Sequence, residues 1–380
     1  MTTISLLRRT HTLTTTTLLP FLAHLHSFST TTSTPTPTPT PAPNLSHRSQ
    51  TPLEKQFETW TTHLKPGFTP SDVNQALNSQ TDPDLAYDIF RWTAQHRNYK
   101  HNQTTYLTMI HLSLSGHRHR IASSLLDDIL AGTVPPSTPF YNSLIRFCCS
   151  HPCLFARAFD LYKRMIKPKP VTTNQDFVPC CRPDLDTYTM LFTVLLRKFG
   201  KINVGYVYLN SVRSLTRQMK QFGVVPDVYV LNMVIKAYAK CLQLDEAVRV
   251  FREMGLYGCE PNKYSYSYLV KGLCEKGRVW EGLKCFREMR EKNLVGTSSA
   301  WMALVCSLAI ERRFEETVEV LRDMVGNGMS PDMMTYRTVF DELCRGGKGN
   351  EAIELLEEFR GKDVKMIDKN YKALLKELHF

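Results

Sequence analysis

The sequence lacks several features that would settle its class at once. No uninterrupted apolar run reaches the roughly 18 residues that a membrane-spanning helix needs, although 42% of the 380 residues are apolar. No C-x-x-C occurs among eleven cysteines, and no secretory-type signal precedes them. Cys148, Cys149, Cys153, Cys180 and Cys181 gather loosely around His151, but their spacing fits no usual zinc finger. Reduced thiols acting as small apolar groups are the better reading. Catalytic signatures are missing too. There is no H-x-E with a downstream C-x-x-C, as a zinc deaminase needs, and no G-x-x-x-x-G-K-[ST] phosphate loop. His117 and His119 flank Arg118 and read as a solvated helix–helix turn rather than a metal site. The acidic residues fall on solvated helix faces such as "ELLEEF" (Glu354 to Phe359). No enzyme, no metal and no cofactor is expected.

Acidic residues are absent until Glu54, whereas Arg8 and Arg9 lie among many Thr, Ser and scattered Leu. That composition is an organelle transit peptide's. Positive charge answers to the inward-negative potential of the mitochondrion, and "HSFSTTTS" suits a mitochondrial processing region. The chloroplast is the second reading. Thr34 to Pro43 is an alternating Thr-Pro spacer. Residues 1–50 are therefore read as address and spacer, and 51–67 as a linker. The whole chain carries a net charge of +11, which favours a polyanionic partner.

What the sequence does have is a period. Asp227 and Asp332 both follow Pro and lie three 35-residue steps apart. Units run 228–262, 263–297, 298–332 and 333–367, with a truncated unit at 368–380. Matching positions share chemistry. Position 4 reads Leu231, Tyr266, Trp301, Tyr336 and Tyr371; position 20 is small or short, as Ala247, Gly282, Thr317 and Ala352. Toward the N-terminus the pattern continues at 103–137, 138–184 and 185–227, the last two with insertions, and 68–102 is a degenerate first unit. Apolar residues at 4, 7, 8 and 11, and again near 20, 23, 24 and 27, describe two amphipathic helices per unit. Gly277, Gly346, Gly347 and Gly349 break the chain between them. A single hairpin cannot bury both its stripes, but stacked hairpins can. The expected fold is all-α: an α-solenoid of helix-turn-helix repeats in a right-handed superhelix, with the position-4 aromatics in its core. Pro at position 34 ends one unit, and Asp at position 35 caps the next helix or faces a ligand.

The W-x₂-L-G-x₂-Y signature of tetratricopeptide arrays is absent. The 35-residue period, "TY" at positions 3 and 4 (Thr335-Tyr336, Thr187-Tyr188, Thr105-Tyr106), "GLCEKGR" (Gly272 to Arg278), "DEAVRVFREM" (Asp245 to Met254) and the terminal Pro-Asp resemble the pentatricopeptide repeat (PPR) family. "TPSDVNQALNSQTDPDLAYDIFRWTAQ" (Thr69 to Gln95) resembles the entry segment of its plant organellar, P-class members. The resemblance covers about 68–380. It implies a monomer that binds single-stranded organellar RNA, one nucleotide per unit, with positions 5 and 35 reading the base and position 2 packing against neighbouring bases. On that pattern Asn142 with Asp184 reads uracil, Thr189 with Asp227 guanine, and Asn232 with Asn262 cytosine or uracil. Ser267 with Thr297 departs from the usual code and leans to purine. Leu107 with Ser137, Met302 with Asp332 and Arg337 with Ile367 each have an unsuitable member. The expected core is 5′-U-G-C/U-3′. Tyr229, Tyr264 and Met334 are candidates for base stacking, and Arg197, Lys240 and Arg345 for phosphate. The family's enzymes carry an added C-terminal domain, for which thirteen residues past 367 leave no room. The expected role is occupancy: masking an RNA end, remodelling RNA, or guiding splicing or translation factors. The alternative is a mitochondrial ribosome-associated or assembly protein with little base specificity, and a peptide-binding solenoid is a third reading.

Overall fold

The computed structural model describes residues 52–64, 67–166, 181–199, 205–363 and 366–378. The transit and spacer segment expected at 1–50, Cys180 and the unit tail at 167–180 lie outside the described residues. Those described are helical, with turns between. The helices are α1 (Pro52–His63), α2 (Pro70–Asn78), α3 (Pro83–Ala94), α4 (Gln103–Ser115), α5 (His119–Ala131), α6 (Thr138–Ser150), α7 (Phe155–Ile166), α8 (Leu185–Phe199), α9 (Gly205–Gln221), α10 (Val228–Lys240), α11 (Leu244–Glu253), α12 (Lys263–Glu275), α13 (Val279–Glu291), α14 (Ser298–Ile310), α15 (Phe314–Gly326), α16 (Met333–Arg345), α17 (Gly349–Lys362) and α18 (Asp368–Leu378).

The chain divides into two compact units, one ending at Leu191 and the other beginning at Phe192. Within the first, α2 packs on α4 and α4 on α6, with α5 against α7. Within the second, α10, α12, α14, α16 and α18 pack in succession, and α11 and α13 bridge to the next first helix. Each unit is thus a stack of helical hairpins.

Local chemistry explains where helices start. Asn102 and Asn262 each close a capping box with a hydroxyl three residues on, Thr105 and Ser265, and Asp227 and Asp332 cap through their carboxylates. Each cap satisfies a backbone N–H that the helix leaves unpaired. In five of the hairpins the chain turns through one residue with positive φ. Gly277 and Gly347 supply it in two units, but His117, Leu242 and Arg312 occupy the same place in three others. Gly346 and Gly349 do not have positive φ. The turn bonds are alike in both kinds, as in Arg278 N–H to Leu273 O at 2.9 Å and Arg313 N–H to Leu308 O at 3.0 Å.

The position-4 side chains form the core: Tyr188, Tyr266 and Trp301 are fully buried, and Tyr336 nearly so. A ring of this size removes about 150–250 Å² from water. The short residues at position 20 (Ala122, Ala158, Ala247, Thr317, Ala352) are also fully buried, where the two helices of a hairpin close together. Extra residues are absorbed without disturbing these faces. A 3-10 turn, Pro152–Leu154, takes up the residue before Ala158, and α8 and α9 run 15 and 17 residues where α10 has 13.

One expectation is corrected. The stretch read as a linker, 51–67, contains helix α1. Phe57 meets Trp92 edge-on at 6.4 Å, and that apolar contact gives the short helix a face to bury.

Candidate nucleic-acid interface

Positions 2, 6, 9 and 13 follow helical spacing and share one face of each first helix, beside position 5. In five inter-repeat ion pairs the acid, Asp84, Asp127, Asp245, Asp323 or Glu358, sits on a second helix, where Arg118, Arg157, Arg278, Arg290 or Arg322 binds it, whereas Arg360 binds Asp368 at the start of the first helix α18. Such exposed pairs add little stability, and the first-helix face itself carries the exposed acids Asp186, Glu275 and Asp341 at positions 2, 13 and 9.

Two of the expected base-reading pairs are hydrogen-bonded to each other. In the first unit, Asn142 on α6 is buried and donates through Nδ2 to both carboxylate oxygens of Asp184, at 2.8 and 2.9 Å. Its Oδ1 accepts from Thr187 Oγ1 at 2.6 Å. Asp184 also accepts the Thr187 backbone N–H at 2.9 Å. Partial burial pushes the Asp184 carboxyl up, but the bonds from Thr187 and Asn142 outweigh it and hold the group below the usual carboxylate value.

The second unit holds a matching arrangement. Asn232 on α10 is buried and donates through Nδ2 to Asn262 Oδ1 at 3.1 Å, while its own Oδ1 accepts from Ser265 Oγ at 2.6 Å. Asn262 Oδ1 also accepts the backbone N–H of Tyr264 and Ser265 at 3.0 and 3.3 Å. The amide oxygen is therefore consumed by the helix cap. Ser267 and Thr297 are joined differently: the Thr297 backbone N–H donates to Ser267 Oγ at 2.9 Å, and the Thr297 hydroxyl lies near Ser299. Thr189 is partly buried on α8, and Asp227 caps α10 through Val230 N–H at 2.8 Å.

The position-2 candidates are exposed: Tyr229 by 45%, Tyr264 by 44% and Met334 by 66%. That separates them from the buried position-4 rings two residues on. The Tyr229 hydroxyl lies 3.3 Å from Thr193 Oγ1, and the Lys263 ammonium lies 5.3 Å from the Tyr264 ring. Arg197 and Lys240 are exposed on this face. Arg345 is exposed too, but it donates to Glu342 Oε1 at 2.6 Å, so its charge is already partly answered. Among the unsuitable pairs, Ser137 donates to Gln103 Oε1 while Leu107 has no side-chain polar group to offer, Met302 is partly buried, and Ile367 is exposed.

Sequence reasoning missed two features here. Tyr268, at position 6, lies four residues after Tyr264 on the same helical face, a spacing legible in the sequence. Burial raises its phenol pKa, and Tyr264 and Tyr229 add to the rise. The Lys236 ammonium sits 5.1 Å from its ring. The three tyrosines and Lys236 thus make a basic aromatic patch. The second is the hydroxyl at position 3, Thr187 and Ser265, which the repeat pattern presents only as half of a recurring dipeptide.

Burial pushes the Cys148 thiol up to about 12, and no group of three His, Cys, Asp or Glu among the described residues could hold a metal.

Comparison with known proteins follows the same lines. Residues 226–275 and 296–345 match the PPR repeat family, and 264–294 and 334–364 match the PPR repeat. An Arabidopsis thaliana protein named as a mitochondrial pentatricopeptide repeat-containing protein is 56% identical over 204 residues, covering 54% of this chain and 51% of that protein. A second of the same designation is 31% identical, over 52% of this chain and 42% of its own length. The chain thus spans about half the length of these relatives. The crystal structure of the maize pentatricopeptide repeat protein PPR10 is similar with a TM-score of 0.56 at 21% identity, covering 86% of this chain and 42% of that one.

Proposed function

Because the chain belongs to the pentatricopeptide repeat family, we propose that it binds single-stranded RNA in the mitochondrion and acts there in RNA metabolism by sequence-preferring occupancy, one base per repeat. The mitochondrial setting rests on the acid-free leader and on the designation of the two Arabidopsis relatives.

The observation that carries the reading is the pair of asparagine-centred networks, each set beside its own face of first helices. Their chemistry differs in a way that distinguishes bases. Asp184 is ionised and only accepts, so it suits a base with an imino N–H on its Watson–Crick edge, as uracil has. Asn262 has spent its oxygen on the cap and retains its N–H₂ to donate, which suits the ring-nitrogen acceptor of cytosine. Both agree with the preferred core 5′-U-G-C/U-3′. Tyr229 and Tyr264 supply π-faces for any base, and such stacking is worth about 1–3 kcal/mol per base. Lys236, Lys240 and Arg197 suit phosphates, and their contribution should fall as salt rises. Stabilising, processing, splicing or translating a transcript would all follow from occupancy.

Substituting Asn232→Thr tests this reading. Preference at that one base should move from pyrimidine toward adenine in competition binding; an unchanged profile rejects the assignment. The unsuitable pairs, with Ile367 exposed at a reading position, favour the second reading, a ribosome-associated or assembly protein. That protein would co-sediment with ribosomal particles and select no motif.

A further inference from the structure

We propose that the hydroxyls of Thr187 and Ser265 set the amide orientation of Asn142 and Asn232, and are thereby positioning residues for base choice; this rests on the base-reading proposal above. An asparagine amide turned by half a revolution keeps its shape but exchanges donor for acceptor. Something must therefore fix which end faces the base.

In the first network Asp184 can only accept, so Asn142 Nδ2 turns toward it, at 2.8 and 2.9 Å. On the other side Thr187 Oγ1 takes the Asp184 backbone N–H at 3.3 Å, and its one hydrogen has two acceptors in reach, Asn142 Oδ1 at 2.6 Å and Asp184 Oδ1 at 2.8 Å, of which the amide oxygen is the nearer. In the second network the helix cap makes Asn262 Oδ1 an acceptor, so Asn232 must offer Nδ2 at 3.1 Å. Ser265 Oγ accepts the Asn262 backbone N–H at 3.0 Å and donates to Asn232 Oδ1 at 2.6 Å. Both hydroxyl residues are fully buried. In each network the two neighbours of the asparagine demand the same orientation.

The pattern of occurrence agrees. A hydroxyl stands at position 3 of the unit following each reading asparagine. It is replaced by Val230 after Thr189, by Ala300 after Ser267 and by Phe140 after Leu107. Thr335 follows Met302, which has no amide to orient. Its hydroxyl donates to its own cap carboxylate, Asp332 Oδ1, at 2.8 Å, the distance at which Thr187 also approaches Asp184 Oδ1. Thr335 is thus a control within the molecule: the same residue type, position and capping role, with nothing to position. Without the hydroxyl, the buried Oδ1 of the asparagine loses its partner and the amide gains a reason to turn.

The test uses the full chain and competing RNAs that differ only at the nucleotide facing unit 138–184 or unit 228–262. Ser265→Ala should reduce preference at the second nucleotide about fivefold, the factor for one neutral hydrogen bond, and leave the first unchanged. Thr187→Val should do the converse. Ser265→Thr should retain preference, and Thr335→Val should change neither nucleotide, although thermal unfolding registers a lost cap bond in all three hydroxyl deletions. Unchanged preference in Ser265→Ala and Thr187→Val would overturn the proposal, as would equal erosion by Thr335→Val. Were the unsubstituted chain to show no base preference at either nucleotide, base reading itself would fail, a result distinct from the others.

Discussion

The two asparagine networks share a donor and differ in what receives it. Asn142 meets a carboxylate and Asn232 meets an amide, each at the end of a unit and each capping the next first helix. The same local need, an unpaired helix N–H, is met by Asp in one place and Asn in the other. The cap leaves Asp184 with further acceptor capacity and leaves Asn262 with a donor. Capping and base choice are thus two uses of one side chain, and the residue that satisfies the cap decides which hydrogen bond remains for a ligand.

The comparison breaks most visibly if Asp184→Asn fails to convert the first network into the second. A lost charged bond of about 1.5–3 kcal/mol and a gained neutral one of about 1 kcal/mol should swing the uracil-to-cytosine ratio at that nucleotide by roughly a hundredfold, read by competition binding. A smaller change comes from Tyr264→Ala, which should cost about 1–3 kcal/mol of RNA affinity and leave base preference intact in both networks. Isothermal titration with matched and mismatched RNAs separates the two quantities. The third contrast is acid. The folded pKa of Asp184 lies below its ordinary value, so its contribution to stability is present above that value and is lost as pH falls through the depressed one. Uracil preference in the first network should fade over the same acid window while the Asn232 network, which has no titrating member, keeps its own; pH-dependent competition binding reads both. The smallest effect concerns the scaffold. Arg312→Gly relieves a positive-φ residue at the hairpin turn and should stabilise the chain by up to about 1 kcal/mol with both preferences unchanged, read by denaturant midpoint.

Much of the fold was legible because a repeat writes the same instruction several times. Tyr266, Trp301 and Tyr336 recur at one position and are buried together; no single unit would have made them conspicuous. What occurs once was hidden. Helix α1 has no counterpart to align with, and its partner Trp92 is distant in sequence. The hairpin turn was credited to glycines, yet backbone hydrogen bonds impose the same left-handed residue on Leu242 and Arg312, which carry no sequence mark of it. At the candidate site, residue types at positions 5 and 35 were readable, but their bonding to each other was not, since it depends on how α6 and α10 face the next cap. The hydroxyls of Thr187 and Ser265 looked like half of a signature. Their 2.6 Å approach to Asn142 and Asn232 assigns them a task beyond capping.

The most direct measurement is selection of random single-stranded RNA by the purified chain. The account predicts enrichment of a short element built on 5′-U-G-C/U-3′, with binding that weakens as salt rises. Recovery of RNA with no common element, at whatever affinity, would contradict it.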